Sequence, residues 1–505
     1  MSVEQEECLR CVSLFSALRQ FAQRGEPPHL SSGSSVVAYD KLRISLMDNQ
    51  KILDGPSPSF IQRRINMMRW IFNPLAILEK RYQQYGDIYV VAKNVSPPVV
   101  YISNPEALQQ IFSAPAETFD SSGANNVLLP LLGDRSLILL DGAAHQRQRK
   151  LLMPPFHGDR LKAYGETIRQ ITQQVISQWE VGKSFNVRAA MQEISLRVIL
   201  SAVFGLDQGD RFEELRKLLT RLLDGVGSPV SSMLLFFPSL QKDWGMWSPW
   251  GRFVKLRSRI DGIIYAQIQE RRESDSPHDD ILSLLLDARD EDGQPMTDKE
   301  LRDELVTLLF AGHETTASAL SWALYWIDNL PEVREKLLQE LDTLPPNADP
   351  SAVIKLLYLN AVCCETLRIY PIAINTFPRI VKSPIDIMGY HFESGTLLLP
   401  SVYLTHHRED LYPEPKCFKP ERFLEKQFSP YEYLPFGGGN RRCIGLAFAQ
   451  FEMKLVLATI LTQYDLQLAS QTPIKPTRRG LTVAPSVNLR MVVKQVRSQK
   501  SPTLV

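Results

Sequence analysis

Ten residues, FGGGNRRCIG at 436–445, constrain this chain more than any others. Three consecutive glycines let the backbone turn tightly and lie close against a flat partner. Arg441 and Arg442 precede a single cysteine, Cys443, and a helical pattern follows from about Ile444 to Leu461. A cysteine just before a helix faces N-terminal N–H groups whose dipole favours thiolate over thiol. Phe436, Gly439, Arg441, Cys443 and Gly445 at this spacing arise by chance in fewer than about one chain in 10,000 of this composition. A phosphate loop does not fit, because no Lys-Ser/Thr follows and no strand–G-x-G-x-x-G–helix unit can be read. A buried structural cysteine leaves the surrounding Phe, Gly and Arg unexplained.

Composition narrows the classes further. The 505 residues are 44% apolar and 22% charged, which excludes global disorder and a fibrous chain. Lys+Arg 57 against Asp+Glu 56 leaves +1, so no basic field points to nucleic acid. Six scattered cysteines are no disulfide framework, and the lone Cys8/Cys11 pair lacks partners for zinc. No run nears the roughly 18 apolar residues of a transmembrane helix, and the first residues, MSVEQEECLRC, are no secretory signal. A cytoplasmic protein is expected, peripheral to a membrane at most. Residues 1–46, with SSGSS and a double proline, read as a poorly ordered extension; 47–498 read as one domain and 499–505 as a tail.

The segment FIQRRINMMRWIF, 60–72, places Ile61, Ile65, Met68 and Phe72 at helical spacing with Arg63, Arg64 and Arg69 mostly elsewhere. Packing on the core is the favoured reading; a basic amphipathic helix on a membrane surface is the alternative. Two β-like runs follow at 87–92 and 98–103. Helical patterns dominate from Asp141 to about Leu367, including one from about Lys299 to Asn329, and short β-like pieces fill 372–442. The fold class is mostly α with a small β-rich portion.

A thiolate is a strong iron ligand whose electron donation promotes O–O cleavage at haem, and Arg441 suits a haem propionate. With these residues the chain resembles the cytochrome P450 family from about Pro56 to Leu489. The resemblance implies haem b between the long central helix and the helix following the cysteine loop. Iron would be ligated by Cys443, with Phe436, Gly437, Arg441 and Gly445 around the cofactor.

Three further constellations match the family. Glu365 and Arg368 stand at i, i+3, and Arg422 lies in FKPERF; alone such a pair is weak, but the family locks it as a structural triad. In LLFAGHETTAS, 308–318, a Gly and two Thr disfavour helix by about 1–2 kcal/mol in summed propensity. The functional reading gives Ala311 and Gly312 room for the cofactor and dioxygen, with Glu314 and Thr315 as the proton-relaying acid–alcohol pair. His313 falls off that face. His145, Arg149 and Arg379 would join Arg441 around the propionates, although most of the family carries Trp where His145 stands. Arg147 and Lys150 add a local basic patch suited to an acidic electron donor.

The expected activity is therefore a monooxygenase using O2 and two electrons from a separate ferredoxin or flavodoxin with its reductase. A peroxygenase or isomerase on the same fold, or a non-enzymatic haem sensor, are the alternatives; both fit the Glu314–Thr315 pair less well. By resemblance the substrate pocket is lined by Phe119, Leu128, Leu309, Phe310, Ile372, Ile374 and Val483, with Asn375 and Thr376 as sparse polar anchors. Apolar lining selects hydrophobic shape, which points to a fatty acid, alkane or terpenoid. The apolar stretch 229–240 suits a lipid-like entry route.

Overall fold

A helix of 32 residues, Asp298–Asn329, is the axis on which the rest is built. Its start is fixed by a capping box, in which Thr297 Oγ1 accepts from the Glu300 N–H and Glu300 Oε2 accepts from the Thr297 N–H. Asp298 and Glu300 stand in its positive first turn. Leu301, Leu305, Leu309, Leu320 and Trp322 are buried, and so are the charged Arg302, Asp303 and Glu304, as expected of a helix surrounded by others. The helices Val187–Phe204, Leu357–Ile369 and Leu446–Gln463 pack against it and share its apolar core.

This computed structural model describes residues 51–227, 233–236, 238–274, 279–345 and 348–497. The expected extension 1–46 with Cys8 and Cys11, the tail 499–505 and part of the 229–240 stretch lie outside the described residues. Two compact units are distinguished. Of the smaller, Lys51, Ile52 and Gly389–His391 are described, and there the Lys51 N–H donates to the Gly389 carbonyl at 3.0 Å. All that follows concerns the larger unit.

Helices Gly142–Leu152, Asp159–Ile176, Asp210–Gly227 and Pro249–Glu273 fill the span with helical patterning. The β-like runs become strands Ile88–Val90 and Val99–Ile102, paired antiparallel with Tyr89 opposite Tyr101. Val99–Ile102 continues parallel to Leu397–Pro400, and Arg379–Val381 and Phe119–Asp120 complete a five-stranded sheet. A hairpin of Pro476–Arg479 and Thr482–Pro485 sets Arg478 opposite Val483. A smaller core, with Tyr89, Tyr101, Ile374, Tyr403 and Val483, lies by the sheet.

One expectation about the packing of the helices fails. The helix Phe60–Phe72 forms with a Ser59–Gln62 capping box, yet none of its residues is buried. Trp70 alone engages the core closely, edge-on to Tyr101 at 6.2 Å. The apolar spacing read as a packing face is instead an exposed one.

Candidate active site at the cysteine loop

The cysteine loop is shaped by steric contact. Gly437 and Gly439 adopt φ of 70° and 65°, the left-handed region that favours glycine. A Cβ on Gly438 would lie 2.5 Å from the Phe112 ring, and one on Gly439 would lie 2.7 Å from the Phe112 carbonyl oxygen. Glycine is thus required by close approach to the helix Pro105–Ser113 as well as by the turn. The Cys443 N–H donates to the Phe436 carbonyl at 2.9 Å, closing the loop. Gly445 caps the helix Leu446–Gln463, and its N–H points at the Cys443 thiol.

Cys443 has exposed surface, yet burial still pushes its thiol up. The Gly445 N–H and the nearby Arg149 and Arg442 act in the opposite direction. The favourable helix terminus read from the sequence is present, but desolvation outweighs it in the free thiol.

Beside the loop, the structure brings together four of the predicted cofactor residues. His145 is buried, and its pKa is pushed down to about 3, first by burial and then by Arg441 and Arg149, with Arg379 adding less and Asp141 opposing. Arg379 is pushed down to about 10 by burial and by Arg441, and its Nη1 donates only to the Phe377 and Pro378 carbonyls. Burial also lowers Arg149 and Arg441. Arg441 donates to the Leu137 carbonyl at 3.1 Å, the Leu140 carbonyl at 2.5 Å and Asp141 Oδ1 at 2.8 Å. Its Nε remains buried without a partner. Of these buried or half-buried guanidiniums Arg441 pairs with Asp141, which also meets Lys382 at 3.3 Å and lies near Arg379. This excess of desolvated positive charge, with an orphaned donor at Arg441, fits a group bearing two carboxylates.

On the central helix, Ala311 is exposed in the middle of a buried stretch, with Thr315 one turn further on the same side. Both open onto interior space. Thr315 Oγ1 donates to the Ala311 carbonyl at 2.5 Å. Gly312 departs from its expected role: a Cβ there would lie 3.0 Å from Ile199 Cδ1, so it serves close packing of two helices. Glu314 faces away from Thr315 into a polar cluster. Arg188 Nη2 donates to its two oxygens at 2.9 and 3.1 Å, Gln192 Nε2 to Oε2 at 2.8 Å, and Arg479 Nε lies 3.4 Å from Oε1. His313 is buried, its imidazole held neutral by that burial.

Glu365, Arg368 and Arg422 meet directly. Arg368 Nε and Nη2 reach the two Glu365 oxygens at 2.6 and 2.8 Å, and Arg422 Nε reaches Oε1 at 3.2 Å. Arg368 also donates to the carbonyls of His406, Pro415 and Cys417.

The predicted pocket residues divide between two apolar groups. Leu128, Leu309, Phe310 and Ile372 belong to the large helical core, and Ile374 and Val483 to the smaller one. The two are joined where the Val483 N–H donates to the Ile372 carbonyl at 2.8 Å. Phe119 is buried in the sheet opposite Val381. The expected basic patch is largely neutralised, since Arg147 pairs with Asp290 and Glu300 and Lys150 with Glu291.

Sequence reasoning missed Asp303 and Glu304. Asp303 accepts from the Arg135 N–H at 2.9 Å and Glu304 from the Leu137 N–H at 2.7 Å, fixing the strip whose carbonyls hold Arg441. Burial drives the Glu304 carboxyl well above the usual carboxylate range. The pair follows Asp298, Lys299, Glu300 and Arg302 in a charged first stretch of the helix, where it looks like any solvated face.

Comparison with known proteins gives the family. Residues 62–491 match the family described as Cytochrome P450. Cytochrome P450 135B1 of Mycobacterium tuberculosis is 36% identical over 448 residues, covering 88% of this chain and 91% of the relative. Cytochrome P450 138 of the same species is 31% identical, covering 83% and 91%. Among solved structures, the retinoic acid bound cyanobacterial CYP120A1 superposes with a TM-score of 0.74 at 27% identity, covering 85% of this chain and 96% of that one. The cytochrome P450DA heme domain reaches a TM-score of 0.76 at 22% identity, covering 89% and 99%, a likeness of fold.

Proposed function

Because the chain belongs to the cytochrome P450 family of haem-thiolate monooxygenases, we propose that it hydroxylates a long-chain fatty acid, alkane or terpenoid at an unactivated carbon. Haem b, bound through Cys443, supplies dioxygen activation. The chain's own groups do the rest. Arg441, Arg379 and Arg149, with neutral His145 between them, hold two carboxylates. The apolar walls exclude water and select shape. Thr315 holds a proton at Oγ1, parked against the Ala311 carbonyl. Glu314 supplies exchangeable protons once its hold on Arg188 and Arg479 loosens.

What supports the substrate class is the apolar character of the residues that the resemblance assigns to the pocket. Leu128, Leu309, Ile372, Ile374 and Val483 are all apolar, and Asn375 offers one buried amide oxygen without a partner. The retinoic acid named for CYP120A1, an apolar chain ending in a carboxylate, is a ligand of the proposed kind. Titrating the protein with a panel of fatty acids, alkanes and terpenoids while recording the haem spin-state shift tests the class. Response only to small polar aromatics would overturn it. Cys443→His should abolish hydroxylation even where cofactor is retained, because the electron donation of sulfur is lost.

The electrons come from a separate ferredoxin or flavodoxin with its reductase. A cytoplasmic location with peripheral membrane contact completes the reading. Among the described residues no helix is long and apolar enough to cross a membrane. The contact rests on the helix Phe60–Phe72, where Phe60, Ile61 and Phe72 are 69, 70 and 62% exposed and Arg63, Arg64 and Arg69 meet no acid within the helix. Sedimentation with anionic vesicles, lost in Ile61→Asp/Phe72→Asp, checks this. Equal recovery with and without vesicles would end it.

A further inference from the structure

The Glu365–Arg368 lock lies on one helix and Cys443 on a loop 78 residues later, and a path of hydrogen bonds and short backbone steps joins them. Its centre is His406, the last residue of the short helix Val402–His406, with no exposed surface. Arg368 and His406 bond reciprocally: Arg368 Nη1 donates to the His406 carbonyl at 2.9 Å, and His406 Nδ1 lies 3.2 Å from the Arg368 carbonyl. A carbonyl only accepts, so Nδ1 carries the proton and Nε2 presents its lone pair. That lone pair accepts the Leu434 N–H at 3.0 Å. The Leu434 carbonyl accepts the Gly437 N–H at 3.0 Å, and two residues after Leu434 the Phe436 carbonyl accepts the Cys443 N–H at 2.9 Å.

We infer that His406 is a positioning residue that transmits the Glu365–Arg368 lock to the cysteine loop and fixes where Cys443 Sγ stands. The inference rests on the family reading only for the role of Cys443. Three observations support it. Leu434 is 1% exposed, so its N–H has no water to turn to if the imidazole is removed. The ring is held in plane by Tyr433, stacked at 5.4 Å and 18°, and by Tyr412 edge-on at 6.1 Å. Burial and Arg368 keep the imidazole neutral, the state in which one nitrogen donates while the other accepts. Tyr433 adds a parallel tie, its hydroxyl donating to the Cys364 carbonyl at 3.1 Å on the same helix as Arg368. Neither tie touches the reacting atoms.

The test compares His406→Phe, which keeps the ring and its stacking but removes both bonds, with His406→Gln, whose amide both donates and accepts. In the holoenzyme, amide exchange at Leu434 and through 436–443 should quicken about tenfold in H406F, the scale of one stranded buried N–H. The reduced, CO-bound spectrum should also drift from the thiolate-ligated position about tenfold faster. H406Q should stay within about twofold of the parent in both. The helix core around Leu320 should be unchanged throughout. Parent-like exchange and spectrum in H406F, or equal loss in H406F and H406Q, would overturn the inference. If H406F does not accumulate, His406→Asn, too short to hold both bonds, replaces it: loss in H406N with retention in H406Q supports the role, and identical behaviour refutes it. A failure of Cys443 as ligand would show instead as a non-thiolate spectrum in the parent protein, whatever stands at 406.

Discussion

Arg188 donates from one nitrogen to both oxygens of Glu314, at 2.9 and 3.1 Å, across 126 positions of sequence. The acid of the proposed acid–alcohol pair is therefore held by the neighbouring helix rather than by Thr315. Gln192 and Arg479 complete its surroundings, so releasing Glu314 requires the helix Val187–Phe204 and the hairpin at Arg479 to yield.

A stability difference follows. Glu314→Ala strands Arg188, whose side chain is 8% exposed, and should destabilise the fold by about 3 kcal/mol. Arg479→Gln removes a looser, 3.4 Å partner and should cost under about 1 kcal/mol. Glu314→Gln, nearly isosteric, should slow product formation about 100-fold while leaving substrate affinity unchanged. Urea midpoints and single-turnover rates read these effects. Parent-like turnover in E314Q would remove Glu314 from proton delivery.

Thr315 is argued from a different bond. Its hydroxyl rests on the Ala311 carbonyl at 2.5 Å, beside the exposed Ala311 methyl. Thr315→Ala should keep substrate binding but divert reducing equivalents to peroxide, and Thr315→Ser should restore most of the coupling. The ratio of product formed to NADPH consumed is the measurement. An unchanged ratio in T315A would count against the role.

What the sequence disclosed and what it withheld separate by range. The cysteine loop, the central helix and the Glu365–Arg368 pair were legible because each is local: turn chemistry, helical period and i, i+3 spacing lie in contiguous text. The packed reading of Phe60–Phe72 failed because periodicity reports that a helix has an apolar face, not what covers it. Arg188 gave no signal as the partner of Glu314, since its own helix reads as ordinary core. Phe112, which makes Gly438 and Gly439 necessary, lies more than 300 residues from them and looks like any buried aromatic. The neutralisation of Arg147 by Asp290 and Glu300 was invisible for the same reason.

The Phe112 contact is itself testable. Gly438 has φ −150°, which any residue adopts, so Gly438→Ala carries no backbone strain and only the 2.5 Å approach to the Phe112 ring. The substitution should displace the loop and lower haem retention about tenfold, an overpacking effect of about 1–3 kcal/mol. Phe112→Ala in the same chain should restore part of that retention by making room. If the double variant retains no more haem than G438A, the ring is not what excludes the methyl.

Glu452 offers a pH signature independent of the active site. It lies 2% exposed on the helix Leu446–Gln463, with Ser195 beside it and Oε1 without a partner. Burial pushes its carboxyl up to about 8, from an ordinary value of 4.5. The folded state thus holds a proton that the unfolded chain releases, so this contribution to stability is whole below about pH 4.5 and is lost progressively as pH rises towards 8. The full span is of the order of 4 kcal/mol. Glu452→Gln keeps the neutral shape and cannot ionise, so its advantage over the parent should grow from near zero at pH 5 to a few kcal/mol at pH 8. Urea midpoints of both proteins at the two pH values give the comparison, in which other titrating groups cancel. A difference that stays constant with pH would show that Glu452 ionises in the fold as easily as in water.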